Sequence, residues 1–290
     1  MPTRSADDPS EPDPDWAPIA RRLAAARLEH KATLLAVEGA LARPDVTVTW
    51  LAEPSAEGLA SADLIVSVGG DGTFLTVARF AGRAPLLGVN SSPTTSVGHY
   101  CAATADTFGD VLAEVLTHLA GAKPAAPAPS GGGARIALRH LTRIRAEIGG
   151  VALPFEALND VLFAHRVPVA STRYGLHIGE RHELQLSSGI WIATASGSTA
   201  AIRSAGGAPM DDDDARLQWR VREPYVRGAD TPALGGGLTD LPIEILSRSD
   251  KNALFLDGQP EPHTVAFGTR ARLTRSPEPL AAYLPPSKRG

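Results

Sequence analysis

The chain has 290 residues, 43% hydrophobic and 21% charged, with 28 glycines, 24 prolines and a formal net charge of −4. That length forms one large domain or two medium ones without metal or disulfide staples, and the acidic balance offers no broad cationic field for nucleic acid. The single cysteine, Cys101, excludes an intrachain disulfide, a zinc knuckle and a CxxC pair. No apolar run nears the ~20 residues of a membrane span, and the polar, acidic N-terminus is unlike a signal peptide, so a cytoplasmic protein is expected.

Met1 to Asp15 (MPTRSADDPSEPDPD) has almost nothing to bury and reads as a disordered tail. From Trp16 to Leu41 apolar residues recur at helical spacing, which predicts one long helix or two short ones. Val46 to Leu51 alternates like a strand, and Asp63 to Val68 is a near-continuous apolar run of the kind buried in a parallel sheet. A glycine-rich loop follows, then a helix from Phe74 to Phe80, a buried strand from Pro85 to Val89 and an amphipathic helix from Phe108 to Leu119. Strand, loop, helix, strand, helix is the pattern of a doubly wound α/β unit, placed at residues 16–120.

Gly121 to Gly133 (GAKPAAPAPSGGG) reads as a linker within 121–134, and a β-rich domain is expected over 135–290, with the option that its C-terminal segment returns to the first domain. Its predicted strands run over 135–148, 157–164, 172–178, 183–186, 190–194, 217–221, 241–246, 253–256 and 270–274. A hairpin turn is expected at Gly149-Gly150 and a short helix after Gly197. The fold class expected is therefore an N-terminal Rossmann-like α/β domain followed by a C-terminal all-β, sandwich-like domain.

The chemistry concentrates at Gly69-Gly70-Asp71-Gly72-Thr73. A buried strand running into this loop and then a helix places it at the carboxyl edge of a parallel sheet, where open α/β folds bind ligands. Glycines allow positive φ and close approach, and the N–H groups at the helix start suit phosphate oxygens. Phosphate binding alone does not call for Asp71, because a carboxylate repels phosphates. Asp71 therefore either holds a divalent metal or accepts a proton from an attacking hydroxyl, and both roles belong to phosphoryl transfer. The loop is neither Walker A nor GxGxxG. The plain alternative is a tight turn with Asp71 as a helix cap. A second stretch, Thr194 to Ala200 (TASGSTA), follows a strand and precedes a helix, and either binds phosphate or adenine or simply caps that helix.

In order and spacing LIVSVGGDGTFL, PLLGVN, ALND at Ala157 to Asp160, SSGIWIATASGSTA, SAGG at Ser204 to Gly207 and DGQ at Asp257 to Gln259 resemble the NAD kinases over about Ala62 to Gln259. GGDGT alone is shared with diacylglycerol and sphingosine kinases and nearly with phosphofructokinases. The GSTA loop and ALND narrow the resemblance, and Asn90 to Tyr100 (NSSPTTSVGHY) looks more like the mitochondrial-type branch than the common bacterial form.

The resemblance implies that Asp71 is the catalytic residue, acting on the 2′-hydroxyl of the adenosine ribose of NAD as base or metal-assisted positioner. It implies nucleotide contacts from Gly70, Gly72, Thr73 and Phe74 in the loop, from His99 and Tyr100, from Asn159-Asp160, and from Ser188, Thr194, Ser196, Gly197, Ser198, Thr199 and Ala200. It also implies ATP as phosphate donor, Mg²⁺ held through phosphates and possibly Asp71, NAD or NADH as acceptor, an active site in the crevice between the domains, and a homodimer or homotetramer. Ser188 before the GSTA strand and Ala201 after it depart from the common family pattern, and the family's usual first strand is not evident before Trp16. Those departures keep two alternatives open: a kinase of the same superfamily with a lipid or modified-nucleotide acceptor, and a non-catalytic dinucleotide sensor.

Other chemistry-bearing residues have plain readings. Asp211 to Asp214 is expected to be a solvated loop, since consecutive carboxylates do not converge on one ion without a special turn. His177 and His182, either side of a turn, lack a third ligand and read as strand-surface residues. Arg79 reads as an ordinary helix-surface arginine, and Asp257-Gly258-Gln259 as a hairpin turn.

Overall fold

The computed structural model describes residues 16–121, 136–226 and 233–285. The expected tail over 1–15, and all of the expected linker after Gly121, lie outside those residues. The chain divides into two compact units. One gathers residues up to Trp50, Val66–Phe74 and Leu87–Ile136; the other gathers Leu51–Ile65, Leu75–Leu86 and the chain from Ala137.

The N-terminal half runs α1 (Trp16–Leu41), α2 (Ala56–Leu59), β1 (Ile65–Gly69), α3 (Asp71–Ala78), β2 (Leu86–Asn90), β3 (Cys101–Thr104) and α4 (Phe108–Leu119). β1 lies beside β2, and β3 pairs in parallel with β2. Every residue of β2 is buried, as a strand covered on both faces requires. α4 shows the helical period plainly, burying Phe108, Val111, Leu112 and Val115 on one face.

α1 is one continuous helix rich in Ala, Leu, Arg and Glu, residues that lose little rotamer freedom in a helix, and it stops just before Pro44. Its apolar period does not mark a buried stripe: only Thr33 and Val37 are buried, while Ile19, Leu23 and Leu35 are 46%, 59% and 69% exposed. The strand expected over Val46 to Leu51 does not form. Alternation needs a neighbouring strand to become a ladder, and Val48, Trp50 and Leu51 stay exposed.

The C-terminal half is built from strands β4 (Ala137–Leu141), β5 (Ile144–Ile148), β6 (Val151–Ala152), β7 (Asp160–His165), β8 (Thr172–Ile178), β9 (Arg181–Ser187), β10 (Gly189–Ala193), β11 (Leu217–Arg222), β12 (Gly236–Thr239), β13 (Ile243–Ser247), β14 (Asn252–Leu256), β15 (His263–Val265), β16 (Arg270–Arg275) and β17 (Leu280–Leu284), with a 3₁₀ turn at Ser196–Thr199 and a short α5 (Ala201–Ser204) after β10. Among the described residues two six-stranded sheets form, in the orders β12-β11-β10-β7-β14-β15 and β6-β5-β16-β13-β8-β9. Their inner faces meet in one apolar cluster, with Val161, Phe163, Ile190, Ile192 and Trp219 from the first sheet and Tyr174, Leu176, Ile245 and Leu273 from the second. This is the face-to-face packing of a β-sandwich, and it agrees with the sandwich-like fold expected.

The single strand expected over 135–148 is two. β4 pairs with β17, whereas β5 pairs with β16, so the break between Leu141 and Ile144 is where the chain changes partners. The expected hairpin turn at Gly149-Gly150 forms, with φ of +60° and +83°, values only glycine adopts without strain.

Candidate functional site

β1 delivers the chain to Gly69, and α3 starts two residues later, with the N–H of Phe74 donating to the carbonyl of Gly70 at 3.1 Å. None of Gly69, Gly70 and Gly72 has positive φ, so the expectation that these glycines serve a left-handed backbone is corrected: space is the reason for two of them. A Cβ on Gly69 would overlap the Thr73 side chain, and one on Gly70 would stand 2.6 Å from Ser96 Oγ. A Cβ on Gly72 meets nothing within 4 Å.

Asp71 opens α3, and its Oδ1 accepts the backbone N–H of Tyr100 at 2.8 Å. That bond ties the carboxylate to the chain just before β3 and gives it a more specific partner than a helix cap has. The Tyr100 ring is 3% exposed and stacks on buried Phe74 with centroids 4.9 Å apart; both rings belong to the core, while His99 is exposed at the rim and meets Tyr100 edge-on. Burial and the charge of Asp71 push the Cys101 thiol up to about 12, so it carries no thiolate chemistry near neutrality.

The segment after β2 is fixed by its own polar side chains. Asn90 donates to the carbonyl of Ser96 at 3.0 Å and accepts the N–H of Ser92 at 3.2 Å. From α1, Glu29 accepts the hydroxyls of Ser92 and Thr94, each at 2.6 Å, and those bonds hold its carboxyl below the usual range. The Thr33 hydroxyl donates to the carbonyls of Glu29 and Ser91. A cavity of about 740 Å³ lies alongside, with Gly69, Gly70 and Thr73 on one wall and Arg27, His30 and Lys31 of α1 on another. That volume is within the range of small-molecule sites.

In the β-rich unit a second constellation assembles. Asp257, 8% exposed, sits at a tight turn with φ +49°. Its carboxylate accepts the N–H of Leu158 at 2.8 Å, of Asn159 at 2.7 Å and of Asp160 at 3.1 Å. The Thr194 hydroxyl donates to the carbonyl of Leu158 at 2.6 Å and accepts the N–H of Gly197 at 3.2 Å. Gly197 itself lies so close to Asn159 that a Cβ would overlap its carbonyl. The two segments expected to hold nucleotide, Asn159-Asp160 and Ser196 to Ala200, are thus interlocked.

Within them the expected residues divide. Thr194 and Ser198 are buried, and Ser198 Oγ donates to the Ala195 carbonyl and accepts the Met210 N–H, so both hydroxyls serve the loop itself. Thr199 is exposed, while Ser196, Ala200, Ser188 and Asn159 are half-buried. Asp160 is 5% exposed; burial first and the nearby Asp257 second raise its carboxyl to about 7. Burial also raises Asp257, against the pull of its three N–H donors and of Arg79.

Two plain readings need correction. Asp257 is more than a hairpin turn: it organises residues 158–160, a reach of 97 to 99 positions whose only signal in the sequence is the DGQ motif. Arg79 is not an ordinary surface arginine. Its Nε is buried without a hydrogen-bond partner, and its guanidinium lies 4.4 Å from the Phe155 ring centroid, a cation–π placement. Asp212 and Asp214 pair with Arg139 and Arg216, and among the described residues no group of three or more His, Cys, Asp or Glu side chains could hold a metal. His177 and His182 face each other across β8 and β9 with stacked rings.

The family described as ATP-NAD kinase N-terminal domain matches residues 22–120. The chain is 32% identical over 283 residues to a protein of Oryza sativa subsp. japonica named Probable NADH kinase, covering 88% of this chain and 82% of that one. It is 33% identical over 280 residues to an NAD kinase of Halobacterium salinarum, covering 89% of each. Its fold matches the crystal structure of an NAD kinase from Archaeoglobus fulgidus in complex with ATP at a TM-score of 0.67, with 23% identity over 87% of this chain and 90% of that one. It matches yeast NADH kinase complexed with NADH at 0.70, with 18% identity over 88% and 79%.

Proposed function

The chain belongs to the NAD kinase family, and from that premise we propose that it transfers the terminal phosphoryl of ATP to the 2′-hydroxyl of the adenosine ribose of NAD or NADH, forming NADP or NADPH. The observation that carries the reading is Asp71, opening α3 at the end of a buried strand with Oδ1 held by the Tyr100 N–H. In the transfer the 2′-oxygen bonds to the terminal phosphorus, the bond from that phosphorus to the bridging oxygen of ADP breaks, and the hydroxyl proton passes to the Asp71 carboxylate. Interlocked by Asp257, Thr194 and Gly197, the Asn159-Asp160 and Ser196 to Ala200 segments hold the dinucleotide with little to reorganise on binding. Thr73, exposed on the first turn of α3, and Gly70 line the donor's approach, and exposed His99 serves as a rim contact.

Mg²⁺ fits this residue set through phosphates, because the ion keeps several waters and needs only one or two carboxylates, and Asp71 is the acidic side chain of the loop. When bound it supplies charge neutralisation for the phosphate oxygens. A homodimer or homotetramer in the cytoplasm completes the reading; among the described residues no helix is long and apolar enough to cross a membrane.

Purified protein incubated with ATP, Mg²⁺ and NAD should form NADP, read by an NADP-specific dehydrogenase. No NADP or NADPH with either acceptor overturns the proposal and leaves the alternatives of another acceptor or a sensor. NADH as preferred acceptor is favoured by one observation, the relatives from Oryza sativa and Arabidopsis thaliana named NADH kinases. A higher kcat/KM for NADH than for NAD would decide for it.

A further inference from the structure

A transferable phosphate chain arrives densely anionic, and this chain's glycine loop does little to balance it. Residues 69–74 (GGDGTF) and 90–100 (NSSPTTSVGHY) contain no Lys or Arg, and Asp71 adds a negative charge. In other phosphoryl-transfer sites a lysine of the phosphate loop or an arginine supplies that balance. Here the cations come from elsewhere. The cavity beside Gly69 and Gly70 is walled by Arg27, His30 and Lys31 of α1. These positions are spaced i, i+3, i+4 and therefore share one helix face.

The helix is held in place through its other face. Thr33, 2% exposed, donates to the Ser91 carbonyl at 3.2 Å, and Glu29 accepts the Ser92 and Thr94 hydroxyls. The bonds of Glu29 pin α1 against the segment after β2. Among the described residues neither Arg27 nor Lys31 enters an ion pair with a protein carboxylate. Leu23, one turn earlier on the cavity wall, adds an apolar surface suited to a base.

We infer that this cavity is the donor-phosphate site, in which Arg27 and Lys31 of α1 bind the condensed phosphate chain of ATP and Glu29 is the positioning residue that holds α1 over the loop. The inference rests on the proposed kinase function and adds the residues that the glycine loop lacks. His30 lines the same wall between the two cations, and Gly69, Gly70 and Thr73 face them.

Six proteins test it: wild type, Arg27→Met, Lys31→Met, the double variant, Lys31→Arg, and as control Arg22→Met, an exposed α1 arginine off the cavity wall. Initial rates are measured against ATP and against the dinucleotide, and calorimetry measures binding of ATP and of inorganic tripolyphosphate without acceptor. Each single variant should raise the ATP KM and weaken both calorimetric affinities by roughly ten- to a hundredfold, the size of a lost charge-assisted bond. The dinucleotide KM and the thermal midpoint should stay at wild-type values, and Lys31→Arg should restore most of the affinity. Equal loss for ATP and tripolyphosphate shows that the phosphates are read, while loss for tripolyphosphate alone overturns the assignment to ATP. Unchanged ATP KM and unchanged calorimetry in the double variant, or a rise confined to the dinucleotide KM, overturns the site. Wild-type protein that binds ATP through Arg27 and Lys31 but forms no NADP overturns the kinase reading and leaves the donor site standing.

Discussion

The carboxylate of Asp257 accepts the N–H of Asn159 at 2.7 Å, and its two oxygens together also take the N–H groups of Leu158 and Asp160. One buried side chain thus satisfies three consecutive backbone donors that lead into β7. Asp257→Ala leaves those donors without their acceptor inside the protein, at a cost on the order of 3 kcal/mol. Asp257→Asn keeps one carbonyl oxygen in place and should cost less. Urea unfolding of both variants, followed by tryptophan fluorescence, checks the order; an Asn variant as damaged as the Ala variant would show that charge rather than acceptor geometry holds the segment.

Asp71→Asn separates the two tasks of that residue. The amide oxygen can still accept the Tyr100 N–H, now at 2.8 Å to Oδ1, while the proton acceptor is lost. NADP formation should fall by about 10²–10⁴-fold in kcat, the usual worth of general-base catalysis, with the unfolding midpoint unchanged. Asp71→Ala should lose the activity and also lower the midpoint, because the Tyr100 N–H then lacks its partner. Near wild-type turnover in Asp71→Asn would remove the proton-transfer role.

The strand, loop and helix around Asp71 are legible in the sequence because each local signal agrees: an apolar run, crowded glycines and a helical period. The antiparallel strands of the sandwich are legible for the same reason, since β13 alternates buried and half-buried residues at every step. β3 (CAAT) and β17 (LAAYL) are not, because small residues give neither alternation nor β-branched bulk. Val46 to Leu51 carries the pattern of a strand without a ladder to join, which sequence cannot reveal. The tie from Asp257 to Asn159 joins positions that no local window spans. Arg27 and Lys31 escape notice because a cationic helix face over a cavity has the same sequence as one facing water.

Substitutions of the loop glycines should rank by the space each Cβ meets. Gly69→Ala drives its methyl into Thr73, and Gly70→Ala puts one 2.6 Å from Ser96 Oγ, while Gly72→Ala meets nothing within 4 Å. Gly69→Ala should therefore lower both the unfolding midpoint and activity. Gly70→Ala should show a smaller loss, because the Ser96 hydroxyl can turn away, and Gly72→Ala should leave the midpoint unchanged. A ranking with Gly72→Ala as the least stable would mean that backbone freedom rather than packing selects glycine in this loop.

Asp160 gives a pH dependence whose sign is fixed by its burial. Its folded pKa of about 7 lies above the ordinary aspartate value of 3.8, so the folded state binds more protons than the unfolded state between those values. Its contribution to stability is fully present below the unfolded pKa and is lost as pH rises through about 7. Asp257, raised by burial in the same direction, adds to the same trend. Unfolding free energy should therefore decline between pH 5 and pH 8 from this pair, against the rise that ordinary salt-bridged carboxylates give on leaving acid. Asp160→Asn removes the ionisation while keeping the shape, so its unfolding curve should be flatter over that interval and should cross the wild-type curve near neutrality, with the variant the more stable at pH 8. A variant that stays less stable than wild type at pH 8, with the same slope, would show that Asp160 keeps its charge in the fold.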